Sequence, residues 1–125
     1  MKKGHHATFE VIDGLGIKTF TNCEVCDFAF IAQIQAYELG YATKIIKRIN
    51  ENQILMEVAD TDWIMENLEE GKYYDKTFPY MAKALEPILI KRTSHYNVKS
   101  KKHILDFARH NLGIYENKIV MLDFS

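Results

Sequence analysis

Three residues late in the chain have the types and the order that metal-assisted phosphate chemistry needs. In "DFARHNLGIYENKIVMLDFS", Asp106 is followed five residues later by Asn111, and an apolar run from Ile119 to Leu122 leads into Asp123. A carboxylate in reach of a hydroxyl takes its proton or orients its oxygen. An amide and a second carboxylate offer hard oxygens to Mg²⁺ and leave room for waters and phosphates. Taken singly, Asp106 and Asn111 read as a helix-end acid and a turn amide. Followed by a strand and a further acid, they suggest a metal–nucleotide site.

Other residues could do other chemistry. Cys23 and Cys26 form a C-x-x-C, and His5 and His6 could complete a zinc set. The two cysteines sit one helical turn apart where an apolar-periodic segment begins, so core packing is favoured over metal binding or redox chemistry. His95, His103 and His110 are the candidates for a histidine-based nuclease. Lys91, Arg92, Lys99, Lys101 and Lys102 crowd one segment, but without the interleaved aromatics of a single-strand groove.

Composition bounds these options. With 125 residues, 47% apolar and 26% charged, the chain is expected to form a single globular domain. Its 16 basic and 17 acidic residues imply neither a nucleic acid nor a membrane partner. Met1-Lys2-Lys3 leads into Gly and His rather than an apolar run, so no signal peptide is expected. No window approaches the roughly 18 apolar residues of a membrane span. The expectation is a cytoplasmic protein with reduced thiols.

The elements that must position the candidate residues follow from periodicity. "TFEVI" (8–12) and "GIKTF" (16–20) alternate around Asp13-Gly14 and predict a hairpin. From Asn22, a plausible N-cap, the period becomes helical, with Cys26, Phe30, Ile31, Ile34 and Tyr37 on the inward face and Gly40 as the stop. "TKIIKRI" (43–49) and "QILMEVA" (53–59) read as a second antiparallel pair. A short helix is expected over 62–69, capped by Asp60 or Thr61, and a longer one over 75–92. Pro79 suits its first turn, and Pro87 predicts a kink or break. "TSHYNVKS" reads as a loop, "KKHILDFARHN" as a helix running into a loop, and "KIVML" (118–122) as a last strand. The fold class is α+β.

With the elements in this order, the chain resembles the protein-kinase-like superfamily, most of all its atypical or phage-encoded miniature members. In protein kinases a catalytic-loop Asp is followed five residues later by Asn, and Asp-Phe-Gly follows a short strand. Here those positions are Asp106, Asn111 and Asp123-Phe124-Ser125. The resemblance implies an antiparallel sheet lobe with one helix, about 1–59, and a reduced helical lobe carrying the catalytic loop, about 60–125. It implies ATP and Mg²⁺ as cofactors, with Asp106 as catalytic base and Asn111 and Asp123 as metal ligands. "GIKTF" looks like the strand that carries the phosphate-binding lysine, which makes Lys18 that residue. "QILMEVAD" resembles the strand and hinge that clamp adenine, with Met56 as gatekeeper and the backbones of Glu57 and Ala59 facing the adenine edge.

The match has departures. Gly4 alone precedes the first clear strand, where a glycine-rich loop is expected. Gln33 falls near the place of the helix glutamate that pairs with the lysine, and Ile104 replaces the usual His before the catalytic Asp. Because the resemblance ends at the Asp-Phe-Ser motif, a truncated kinase-like protein is expected, without activation segment or following helices. Two functions then compete: an ATP-dependent phosphotransferase acting on a protein or small-molecule hydroxyl, and an inactive pseudokinase-like interaction protein, such as a phage-type inhibitor of a host protein. The stripe Phe78, Met81, Ala82, Leu85, Ile88 and Leu89 lacks its usual neighbours, which predicts a homodimer or a protein partner through the 75–92 helix.

Overall fold

The computed structural model describes residues 2–3, 7–93 and 107–124. A two-residue strand β1 (Lys2–Lys3) precedes the hairpin of β2 (Ala7–Ile12) and β3 (Leu15–Phe20). Asp13 and Gly14 turn the chain with φ of 53° and 80°, the left-handed pair that matches the twist of the flanking strands. Helix α1 (Cys23–Glu38) opens at Asn22, whose side-chain oxygen accepts the Val25 N–H at 2.9 Å. Strands β4 (Ile45–Asn50) and β5 (Gln53–Glu57) complete an antiparallel sheet in the order β1-β2-β3-β5-β4. The later-made β5 lies inside, next to β3, and β4 forms an edge broken by two register irregularities.

Beyond the sheet come α2 (Asp62–Asn67) and α3 (Pro79–Thr93). The Asp60 carboxylate accepts the Asp62 N–H at 2.8 Å, while Thr61 makes no side-chain cap bond. After Phe107, an extended Ala108 and a 3-10 turn over Arg109–Asn111, strands β6 (Leu112–Tyr115) and β7 (Lys118–Met121) form a separate hairpin. The fold is therefore mixed α+β, with a principal antiparallel sheet, a small second sheet and three helices among the described residues.

The hairpin is stitched back onto the chain leaving β5. Asp60 and Ile114 exchange two backbone hydrogen bonds of 2.8 Å each. The adjoining Gly113 makes this approach possible, because a Cβ there would lie 2.7 Å from Ala59 Cβ. At the other side, the Met121 N–H donates to the Tyr41 carbonyl at 2.9 Å.

Four expectations need correction. The buried face of α1 is Val25, Cys26, Ala29, Ala32, Gln33 and Ala36, whereas Ile31, Ile34 and Tyr37 are exposed. Small residues let the helix lie close to its neighbours, so the larger side chains are left outside. Helix α3 begins at Pro79 rather than 75 and runs through Pro87 without a break. Strand β6 occupies residues read as loop, and Phe107-Ala108 is not helical, Ala108 being extended; residues 101–106 of that segment lie outside the described residues. The apolar stripe of α3 is not an open face. Met81, Leu85, Ile88 and Leu89 are buried in a core shared with α1, Phe107, Leu112 and Phe124, and Phe78 and Ala82 pack against it. The basis for a partner surface on this helix is thereby removed.

Candidate functional site

The site is assembled where the principal sheet meets the β6–β7 hairpin. Strand alternation puts Gly16, Lys18 and Phe20 of β3 on one buried face, beside Ile54 and Met56 of β5. A lysine on such a face needs a partner, because an unpaired ammonium out of water is costly. Lys18, 8% exposed, finds it in Asp123, 105 residues away: Nζ lies 3.2 Å from Asp123 Oδ1. The same ammonium donates to the Leu122 carbonyl at 3.4 Å and sits 5.5 Å from the centre of the Phe20 ring.

Asp123 lies two residues beyond the end of β7, and the hairpin brings the Asn111 turn alongside. The Leu122 N–H donates to the Asn111 carbonyl at 2.8 Å, which ties the residue before Asp123 to the turn that carries Asn111. Asn111 is itself buried. Lys18, Asn111 and Asp123 are thus gathered at one junction, while Asp106 lies outside the described residues, as do Gly4, His5, His6, His95, His103 and Ser125. His110 is exposed on the 3-10 turn. Of the basic segment, Lys91 and Arg92 fall in the last turn of α3, and Lys99, Lys101 and Lys102 lie outside the described residues.

Met56, Glu57 and Ala59 lie on β5 and the chain leaving it. Met56 is buried, and its sulfur is 3.6 Å from Gln33 Nε2. The Glu57 N–H donates to the Lys44 carbonyl at 2.9 Å, so that donor is already used by the residue just before β4. Ala59 packs against Gly113 of the hairpin.

Two side chains take partners that the sequence does not announce. Gln33 is buried in α1, and its amide donates to the Thr43 carbonyl at 3.0 Å and the Thr43 hydroxyl at 3.2 Å. Its hydrogen bonds therefore go to the chain entering β4. Tyr115 donates its hydroxyl to the Glu57 carboxylate across the junction. Burial, together with that acceptor, pushes the Tyr115 phenol up to about 12. These partners lie 10 and 58 residues apart, and no local pattern links them.

The donor set can be weighed against a metal. One carboxylate and one amide oxygen suit a hard cation that arrives with phosphates, since Mg²⁺ is commonly held by one or two carboxylates plus substrate oxygens. No group of three or more His, Cys, Asp or Glu side chains among the described residues could hold an ion by itself. No described helix is long and apolar enough to cross a membrane. No family model, curated protein or solved structure matches the chain.

Proposed function

We propose that this chain is a miniature kinase-like protein that binds ATP together with Mg²⁺ at the Lys18–Asp123 junction. The observation that carries the reading is the 3.2 Å pairing of Lys18 with Asp123, with Asn111 anchored one residue away. A buried cation and an acid, held by separate elements, supply opposite charges where a nucleotide's phosphates and their metal would sit. Lys18 would turn from the carboxylate to the phosphates, and Asp123 and Asn111 would turn their oxygens to Mg²⁺. The metal supplies neutralisation of phosphate charge. Met56 would close the back of the adenine site, and the chain from Glu57 to Ala59 would line its edge. In phosphotransfer to a protein or small-molecule hydroxyl, Asp106 would accept the proton of the attacking oxygen.

A thermal-shift titration with ATP, with and without Mg²⁺, tests the binding step. Ligand at 100 times its Kd stabilises the fold by about 2.7 kcal/mol. The shift should require Mg²⁺ and vanish in Asp123→Ala. No shift under any condition would overturn the reading.

One observation favours the inactive, pseudokinase-like alternative. The Gln33 amide is committed to Thr43 and Met56 rather than to Lys18, so Lys18 is held by the acid that would bind the metal. In that reading the ion pair is a strut and the chain acts by binding another protein. No hydrolysis or transfer by wild type, with a melting point that ATP and Mg²⁺ leave unchanged, would decide for it.

A further inference from the structure

Both cysteines of the chain lie in the first turn of α1, and neither belongs to the site above. Cys23 is the first helical residue and is exposed, whereas Cys26, one turn on, is fully buried. Helix geometry puts Cα atoms three residues apart at about 5 Å. That lies inside the roughly 4.4–6.8 Å a disulfide spans. The Cys23 N–H is among the first donors of the helix, which have no carbonyl in the preceding turn, so this end can adjust without breaking the ladder.

A cation completes the arrangement. Arg48 of β4 pairs with Asp27 at 2.5 Å and lies 5.8 Å from the centre of the Phe30 ring, which puts its charge near the Cys26 thiol. Burial pushes the Cys26 thiol up, and Arg48 offsets only part of that rise. No third His, Cys, Asp or Glu joins the pair to make a metal site among the described residues.

We propose that Cys23 and Cys26 form a reversible dithiol–disulfide couple that exchanges with low-molecular-weight disulfides. Exposure assigns the roles. Cys23, as thiolate, attacks one sulfur of an external disulfide, forming a mixed disulfide and releasing the first thiolate. Cys26 then gives up its proton, which the first released thiolate takes, and the nearby charge of Arg48 favours the resulting negative sulfur. It attacks the Cys23 sulfur, closes the intramolecular bond and expels the second thiolate. One external disulfide is reduced to two thiols while two protein thiols become one disulfide. Burial shields Cys26 from external reagents but not from a sulfur one helical turn away.

Oxidised glutathione is the probe, with intact-mass measurement and thiol counting on the full chain. Wild type should lose both free thiols and two hydrogens, retain no glutathione, and recover both thiols with dithiothreitol. Cys26→Ala should accumulate one glutathione per chain, and Cys23→Ser should take up none. If Cys26→Ala fails to fold, wild type and Cys23→Ser still decide, because Cys23 is exposed. Stable glutathionylation of wild type, no reaction at all, or a disulfide between two chains would each overturn the proposal.

Discussion

At the scale of single residues, the Lys18–Asp123 pair is asymmetric, and the asymmetry has a measurable sign. The lysine side chain is 11% exposed and the aspartate side chain 36%. Removing the acid leaves a buried ammonium whose remaining partners among the described residues are the Leu122 carbonyl and the Phe20 ring, whereas removing the lysine leaves a carboxylate that water can reach. Asp123→Ala should therefore cost about 2–3 kcal/mol. Lys18→Met should cost no more than about 1 kcal/mol. Denaturant melts of the two variants check the order, and equal losses would contradict it. Tyr115 gives a second test. Its pKa is raised from 10 to about 12, so the folded state favours the protonated phenol. That contribution is whole below about pH 10 and is lost as pH rises through about 12. Wild type should lose more stability than Tyr115→Phe between pH 9 and roughly 11.5. Near neutrality Tyr115→Phe should be the weaker protein, by about 1 kcal/mol. Of these residues, Asn111 and Asp123 are conspicuous by type and order after Asp106, whereas Lys18 stands out only through the resemblance and no spacing announces its pairing with Asp123. The bonds of Gln33 and Tyr115 were not legible, because each partner is ordinary in its own neighbourhood and acquires meaning only through the fold.

At the scale of elements, the β2–β3 hairpin and the start of α1 were readable because their signals are local: a left-handed turn pair and a capping amide. The inward face of α1 was misjudged because the helix is apolar on several sides. Size suggested Ile31 and Ile34, and close packing selected Ala29, Ala32 and Ala36. Paired substitutions test this. Ile31→Gln should change stability by less than about 0.5 kcal/mol. Ala32→Leu should cost about 1–3 kcal/mol by overpacking. Strand β6 was missed although its turn offered a clue. Glu116 and Asn117 both take positive φ, at 51° and 64°, and Asn is at home in that conformation. Gly113, two residues before Tyr115, carries the close approach to Ala59. Gly113→Ala should destabilise the fold by about 1–3 kcal/mol and loosen the Asp60–Ile114 bridge, visible as faster amide exchange at both residues.

At the scale of the whole molecule, the principal sheet is formed from residues before position 58, yet the core it faces is finished by residues after 106. Phe107, Leu112, Met121 and Phe124 are all buried in the cluster that contains Cys26, Ile54 and Leu85. The sheet order could be inferred only in part from sequence, since adjacent hairpins announce themselves but the pairing of β3 with β5 across α1 and β4 does not. The stripe on α3 illustrates the same limit. Its periodicity was plain, but what covers it is set by α1 and by segments distant in sequence.

The stitch between the hairpin and the chain leaving β5 also fixes when the molecule can mature during synthesis. Asp60 leaves the ribosome long before Ile114, and Lys18 emerges more than a hundred residues ahead of its carboxylate. Until residues 107–124 are clear of the exit tunnel, the nascent sheet has an unfinished apolar face and a cation without its counter-ion. Such a chain is a natural client for a chaperone that holds exposed apolar surface. A fragment comprising residues 1–106 should therefore lack a cooperative melt and leave Cys26 open to thiol reagents. In the full chain, Cys26 should stay protected from alkylating reagents until global unfolding. A fragment that melts cooperatively with Cys26 still shielded would show that the sheet and α1 complete a core without the hairpin.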